Sequence, residues 1–394
     1  MSVPKFTKAD RISGMALSQI VQLSEAANRR RAAGHDVLSF ATGEPDFPTP
    51  PHICEAAIIA MKKGDTRYTP TAGTPALRDA IARHAHGDHG PENVIVSTGA
   101  KQVIANAFAA TLNPGDEVII PAPYWSTYVD TVQLFEGAPV IVNCDASQGF
   151  KISPAQLENA ITPRTRWVML NSPSNPTGAV YSSDELAALE TVLLRHPHVW
   201  LLSDEIYEHI CYVPFASCAT AMLGLSDRLL VVNGVSKAHS MTGWRIGWGV
   251  GSPALIEAMT TVQGQITSGA SSISQAAALA ALEMASDHVD TRRATFRARR
   301  DIVIDRLNAV DGITCPEPDG AFYVFPSCAA LISANTSLSD DADFCRHALE
   351  TEGLVLVPGR AFGMPGHFRM SFAYGETDLL NGLDRLNDAA LAAK

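Results

Sequence analysis

Lys237 is the residue in this chain whose surroundings most resemble those of a working group. The apolar run Leu229–Val232 leads into Asn233-Gly234-Val235-Ser236-Lys237, and Gly243-Trp244-Arg245 follows. The sequence has only eight lysines, and the others sit near the termini or mostly among polar residues. A lysine withdrawn from water beside a second cation loses basicity and becomes an amine nucleophile for carbonyl carbon. Arg245 is a candidate for that cation, and its guanidinium is also a fork for phosphate. A lysine that merely caps a tight strand-to-helix loop has the same neighbours, so this stretch alone leaves both roles open.

Other candidates also follow short apolar runs. Val199–Leu202 ends in Ser203-Asp204-Glu205-Ile206-Tyr207. An acid there is costly to bury unless it meets a cation or a donor, and Tyr207 could reach the same ligand. Glu205 reads as a structural contact. Trp167–Leu170 ends in Asn171-Ser172-Pro173-Ser174-Asn175-Pro176-Thr177-Gly178, a constrained polar loop that presents Asn175. Val94–Val96 ends in Ser97-Thr98-Gly99-Ala100-Lys101-Gln102, where small residues at a helix start leave N–H groups bare for phosphate, or simply make a tight cap. After Val118–Ile120 come Tyr124 and Trp125, rings that could stack on a planar ligand or plug an edge. Arg369, alone in the apolar Phe368–Phe372 strand, calls for a carboxylate from the chain or from a ligand. Thr42-Gly43-Glu44-Pro45-Asp46 is a turn where backbone could approach a ligand closely.

The elements that must hold these residues alternate. Seven apolar runs, completed by Val140–Val142 and Trp248–Val250, are separated in several places by helical stretches, the pattern of a mostly parallel sheet covered on both faces. Ligands of such sheets lie beyond the carboxyl ends of the strands. Before them, the pattern predicts a helix over Arg11–Gly34, a strand over Val37–Phe40 and helices over Pro51–Lys63 and Pro75–His84. Beyond about Ala285 it predicts a charged helix over Asp290–Asn308, short strands and a terminal helix, a smaller α+β unit completed by the N-terminal segment.

A net charge of −11 argues against nucleic acid as the main partner, and 46% hydrophobic residues with 18% charged describe a globular chain. The runs Arg29-Arg30-Arg31 and Arg292–Arg300 read as solvated helix faces. Seven scattered cysteines without a Cys-x-x-Cys pair suit a reducing compartment and no zinc framework. No secretory signal or membrane-length apolar run is present, which predicts the cytoplasm. His84, His86, Asp88 and His89 read as solvated, not as metal ligands, and His239 is read the same way. No strand is followed by Gly-x-Gly-x-x-Gly, which disfavours a nicotinamide dehydrogenase.

Together these strand ends resemble the class I and II aminotransferases, the aspartate aminotransferase-like enzymes of fold type I that use pyridoxal 5′-phosphate. Asn175-Pro176-Thr177-Gly178, Ser203-Asp204-Glu205-Ile206-Tyr207 and Ser236-Lys237 with Gly243-Trp244-Arg245 carry the resemblance. It implies a large domain over residues 46–284 with a mostly parallel seven-stranded sheet, and a small α+β domain from residues 1–45 with 285–394. It further implies that Lys237 binds the cofactor as a Schiff base and that Asp204 faces its ring nitrogen. Asn175 and Tyr207 would donate to the ring oxygen, and Trp125 would stack on the ring. Arg245 and the N–H groups of Gly99, Ala100 and Lys101 would hold the phosphate, with Tyr68 reaching across a homodimer interface. Arg369, assisted by Gly43 and Asn175, would take the substrate α-carboxylate; Trp125 and Lys101 would also meet substrate. An L-amino acid would pass its amino group to a 2-oxo acid such as 2-oxoglutarate in a ping-pong cycle.

Two departures bear on that expectation. Gly234 stands where many members carry a phosphate-binding Ser or Thr. Leu17-Ser18-Gln19-Ile20 stands where companions of the Lys101 type resemble Pro-Ser-Ala-Thr. The loss of a hydroxyl at Ile20 leaves open an aromatic or other neutral amino acid as donor in place of aspartate. A lyase on the same scaffold is the remaining alternative.

Overall fold

The computed structural model describes residues 6–15, 17, 19–284 and 287–392. Among the described residues the strands in chain order are β1 (Leu38–Ser39), β2 (Val94–Ser97), β3 (Glu117–Ala122), β4 (Ala138–Asn143), β5 (Thr165–Asn171), β6 (Trp200–Asp204), β7 (Leu229–Gly234), β8 (Gly247–Gly251), β9 (Tyr323–Val324), β10 (Leu354–Val355), β11 (Val357–Pro358) and β12 (Phe368–Ser371). All seven predicted apolar runs are strands of one sheet, in the order β2-β8-β7-β6-β5-β3-β4. Every pairing in it is parallel except the two made by β8.

These strands read as unbroken apolar runs because both faces are covered. Alternate residues go to opposite layers. Leu202, Leu230 and Val232 join Ile95, Val103, Phe108 and Trp167 in one core, whereas Leu201 and Leu229 join Ile119, Val168 and Leu186 in another. Asp204 continues the first set by the same alternation. Burying side chains of this kind contributes about 1.5–3 kcal/mol each, so the strand ends are anchored from beneath.

A second body of structure is built from β1 paired parallel with β10, and from the antiparallel set β11-β12-β9. The helices His288–Asn308, Asp341–Glu352 and Glu376–Ala392 pack on it. The β1–β10 pairing ties the N-terminal segment to the C-terminal part.

Three readings are corrected. The N-terminal helix is two pieces, Asp10–Ser13 and Gln19–Ala32, because Gly14 ends the first. The arginine run is not wholly solvated: Arg300 is buried, bonded to Asp301 and to the Pro318 carbonyl, and Arg299 is forked on Asp46 at 2.8 and 2.9 Å. His86 bonds to Glu208 at 3.1 Å, and His239 is buried. Ser18 and the Ile20 side chain lie outside what is described.

Candidate active site

The carboxyl ends of β5, β6 and β7 and the start of the helix Ala100–Thr111 surround a cavity of about 290 Å³. Into it come Gly43, Ala100, Lys101, Trp125, Asn175 and Asp204, and also Tyr207, Lys237, Arg245 and Arg369. Gly99 adjoins it through Arg245. Only Tyr68, among the candidates, is elsewhere; its side chain is 95% exposed. A larger cavity of about 490 Å³ lies behind the sheet, lined by Val231, Asn233 and several histidines, but it holds neither Lys237, Asp204 nor Arg369.

Lys237 extends from the turn after β7 and donates to the Gly43 carbonyl at 2.7 Å. Burial, with Arg369 and Arg245 adding repulsion, pushes its amine down to about 8, against the pull of Glu44 and Asp204. An amine so poised is partly unprotonated near neutral pH, as a nucleophile requires. The capping role that the sequence left open does not account for a lysine directed into the cavity.

Asp204 ends β6 with its carboxylate buried. Tyr128 donates to Oδ2 at 2.7 Å and the Ile206 N–H to Oδ1 at 3.2 Å. Burial nevertheless raises the acid to about 6. Such an acid is poised for a cationic partner. Glu205, one residue on, alternates to the other side and accepts from Ser203 and the Cys218 N–H, the structural contact predicted for it.

Arg369 on β12 is 1% exposed and has no carboxylate partner among the described residues. Its Nη1 donates to Asn175 Oδ1 at 2.9 Å, its Nη2 to the Ala41 carbonyl, and its Nε is unmatched. The Tyr323 and Phe362 rings lie 4.5 and 5.0 Å from the guanidinium. A buried cation with no counter-ion is costly, so an incoming carboxylate has a large advantage there. Asn175 is itself fixed, its N–H donating to Asn171 Oδ1 at 2.8 Å, in a loop with cis bonds before Pro173 and Pro176.

At the helix start Gly99 has φ +82, and a Cβ there would stand 2.6 Å from Arg245 Nη2. Arg245 itself has φ +57, and its guanidinium donates to the Thr242 carbonyl at 2.8 Å. The Gly99 N–H is taken by the Ser97 carbonyl at 2.7 Å, so it is the N–H groups of Ala100 and Lys101, in the first turn of the helix, that with the guanidinium across from them suit a phosphate. Gly234 has no room for a hydroxyl: a Cβ would lie 2.9 Å from both Gly247 Cα and the Ile246 carbonyl, where β7 and β8 are pressed together. Ser236 lines the cavity instead. Lys101 lies 4.8 Å over the Trp125 ring, its amine lowered by burial and by Arg245.

Sequence reasoning missed Tyr128 and Tyr323. Tyr128 lies three residues beyond Trp125, its N–H on the Trp125 carbonyl at 2.9 Å and the two rings 5.5 Å apart, a spacing that would have flagged it. The Tyr323 hydroxyl shares a 2.8 Å hydrogen bond with that of Tyr207, and nothing local in Phe322-Tyr323-Val324 announces it.

A buried lysine, a buried acid and an unmatched arginine thus share one cavity, and the family model for aminotransferase class I and II matches residues 35–386. The chain belongs to that family and is an aminotransferase of the aspartate aminotransferase type. It is 48% identical to an aspartate aminotransferase of Rhizobium meliloti, over 98% of this chain and 96% of that one. An aspartate/prephenate aminotransferase of Cereibacter sphaeroides is 46% identical, over 96% and 97%. Among solved structures, an aspartate aminotransferase from Rhizobium meliloti superposes with TM-score 0.95 at 47% identity, covering 99% of this chain and 100% of that one. One from Thermus thermophilus with maleate gives 0.92 at 38%, covering 98% and 100%.

Proposed function

We propose that the chain binds pyridoxal 5′-phosphate at Lys237 and transfers the amino group of an L-amino acid, aspartate or a close relative, to a 2-oxo acid such as 2-oxoglutarate. The observation that carries this reading is the convergence of a lysine amine at about 8, a buried acid at about 6 and an arginine without a counter-ion on one cavity. The residues fit the cofactor: Ala100, Lys101 and Arg245 for its phosphate, with Gly99 leaving room beside Arg245 and not donating, Trp125 for its ring face, Asp204 for its ring nitrogen, and Asn175 and Tyr207 for its ring oxygen. When bound, this cofactor supplies an aldehyde that exchanges amines and a protonated ring that draws off the electrons of a Cα–H bond.

The protein's own groups do the rest. Arg369 holds the α-carboxylate in a two-pronged grip and so aims the Cα–H bond. Lys237, low in pKa, removes the Cα proton as general base. Asp204, kept anionic by Tyr128 and the Ile206 N–H, holds a proton on the ring nitrogen. Lys101 stands where a distal carboxylate would enter. Tyr68 supports a homodimer with shared sites. Its loop is fixed from behind by Gln275 to Thr69 at 3.1 Å and Gln263 to the Thr71 carbonyl at 2.6 Å, yet its ring is bare. Ile58, Ile59, Met61 and Ile266 are also exposed apolar side chains, which a second copy would cover.

The domain division at 46–284 against 1–45 with 285–394 belongs to the same reading, supported by the β1–β10 pairing. No helix among the described residues is long and apolar enough to cross a membrane, and the seven free cysteines support a reducing cytoplasm.

Spectral half-reactions with a panel of amino acids test the function. Aspartate and glutamate should discharge the lysine-bound absorbance fastest. A panel in which only aromatic amino acids react would move the donor, and release of ammonia without an acceptor would indicate a lyase. The aspartate/prephenate activity named for the Cereibacter sphaeroides relative favours a second reading of the acceptor, tested by supplying prephenate in place of 2-oxoglutarate.

A further inference from the structure

Two residues beyond Lys237, the His239 ring is only 7% exposed, and its Nδ1 lies 3.0 Å from Nε2 of His288, the first residue of the helix His288–Asn308. The two rings are 5.1 Å apart, with His209 at 6.4 Å from His239 and His52 at 5.7 Å from His288. One helical turn on, Arg292 Nη1 donates to the Ala238 carbonyl at 3.4 Å and Nη2 to the Pro48 carbonyl at 2.6 Å. Residues four apart share a helix face, so one face of this helix grips two consecutive residues of the lysine turn. From the other side Thr49 Oγ1 donates to the Ser240 carbonyl at 2.7 Å, and Ser240 is held at φ +53.

We propose that His239 is a positioning residue for amino-group transfer: its hydrogen bond to His288 is a strut that fixes the Lys237 turn against the helix His288–Asn308 and so sets where the lysine amine stands. The proposal rests on the reading of Lys237 given above. A buried histidine that only fills a core is the competing account. Against it, both rings line the 490 Å³ cavity behind the sheet. Val235 and Met241 of the turn are packed in a core, but on the cavity side the His239 ring has fewer atoms to rest on, and there the hydrogen bond to His288 adds to the hold of Arg292 and Thr49. Burial pushes His239 to about 3 and His288 to about 4, with repulsion from Arg292 and His52 on both rings, His288 and His209 acting on His239, and Asp287 opposing at His288. The bridge is thus a neutral N–H···N bond throughout the working pH range, a fixed strut and not a switch.

The test compares His239→Ala, His239→Asn, His288→Ala and the double alanine variant. In each, the pH midpoint for acylation of Lys237 is read by mass spectrometry on the cofactor-free chain, beside kcat and KM of the loaded enzyme. With the strut gone, water reaches the turn and the amine moves; the Lys237 midpoint should rise by about one pH unit. We expect kcat to fall about tenfold while KM for the amino donor, set by Arg369, stays within about twofold. Asparagine, whose amide occupies the Nδ1 position, should restore both values. The double variant should match either single one. Should His239→Ala fail to fold, His288→Ala, altered at a half-buried helix start, gives the same readings. An unmoved Lys237 midpoint with only a lower melting temperature, or single effects that add in the double variant, would overturn the strut. Failure of the functional reading would show differently, as loss of cofactor attachment at Lys237 in the unaltered chain.

Discussion

Burial lifts the Asp204 carboxyl from 3.8 to about 6, although Tyr128 and the Ile206 N–H stabilise its anion. Without a ring cation to meet, this charge opposes folding at neutral pH. Because the folded value is the higher one, the stability linked to this group is fully present below about 3.8 and is lost as pH rises through about 6. The difference corresponds to about 3 kcal/mol once the acid is fully ionised. Asp204→Asn should therefore raise the unfolding free energy of the cofactor-free chain at pH 8, by as much as about 3 kcal/mol, and give little gain at pH 4. The same variant should lose transamination, because a neutral amide cannot keep the ring nitrogen protonated. Denaturant titrations at the two pH values decide it; a variant no more stable than the parent at pH 8 would mean that Asp204 is not strained by its burial.

At the scale of elements, the central sheet was legible because a parallel sheet covered on both faces leaves continuous apolar runs, and the segments after several of these runs reach one cavity. Reading those segments singled out Lys237, Asp204 and Asn175, which all line it. Tyr128 and Tyr323 were not singled out, since their partners lie 76 and 116 residues away; only Tyr128 had a local sign, its three-residue spacing from Trp125, and even that does not say that Asp204 would meet it. The arginines of the long helix misled for a related reason: periodicity places Arg299 and Arg300 on faces but does not say that Asp46 and the Pro318 carbonyl come to cover them. The His84–His89 loop likewise gave no hint that Glu208 would approach His86. Helix packing also shows where spacing alone is silent. In the terminal helix Glu376–Ala392, Gly382 is so close to the segment after β1 that a Cβ would stand 1.9 Å from Phe40 Cε2. Alanine would gain about 1 kcal/mol of helix propensity, but the clash costs about 1–3 kcal/mol and Phe40 has no room to retreat within its core. Gly382→Ala should lower stability in a urea titration; a more stable variant would show that this contact gives easily.

For the whole molecule, the bare ring of Tyr68 and the exposed apolar side chains of the helix Pro51–Lys63 are left uncovered, whereas the other candidates line or adjoin one cavity. If the homodimer completes each site with the partner's Tyr68, two defective chains should help each other. Lys237→Ala has no nucleophile but an intact Tyr68, and Tyr68→Ala has the converse. Hybrids formed from the two should contain one site with both groups, so activity per intact Lys237 should exceed that of the Tyr68→Ala protein alone. No recovery on mixing would place Tyr68 outside the neighbouring site.

The most direct test of the account is borohydride reduction of the chain supplied with pyridoxal 5′-phosphate, followed by peptide mapping. The account predicts one stable pyridoxyl adduct on Lys237, and none on this peptide after Lys237→Ala. An adduct on Lys101 or another lysine in its place, or a chain that stays colourless and unlabelled, would contradict it.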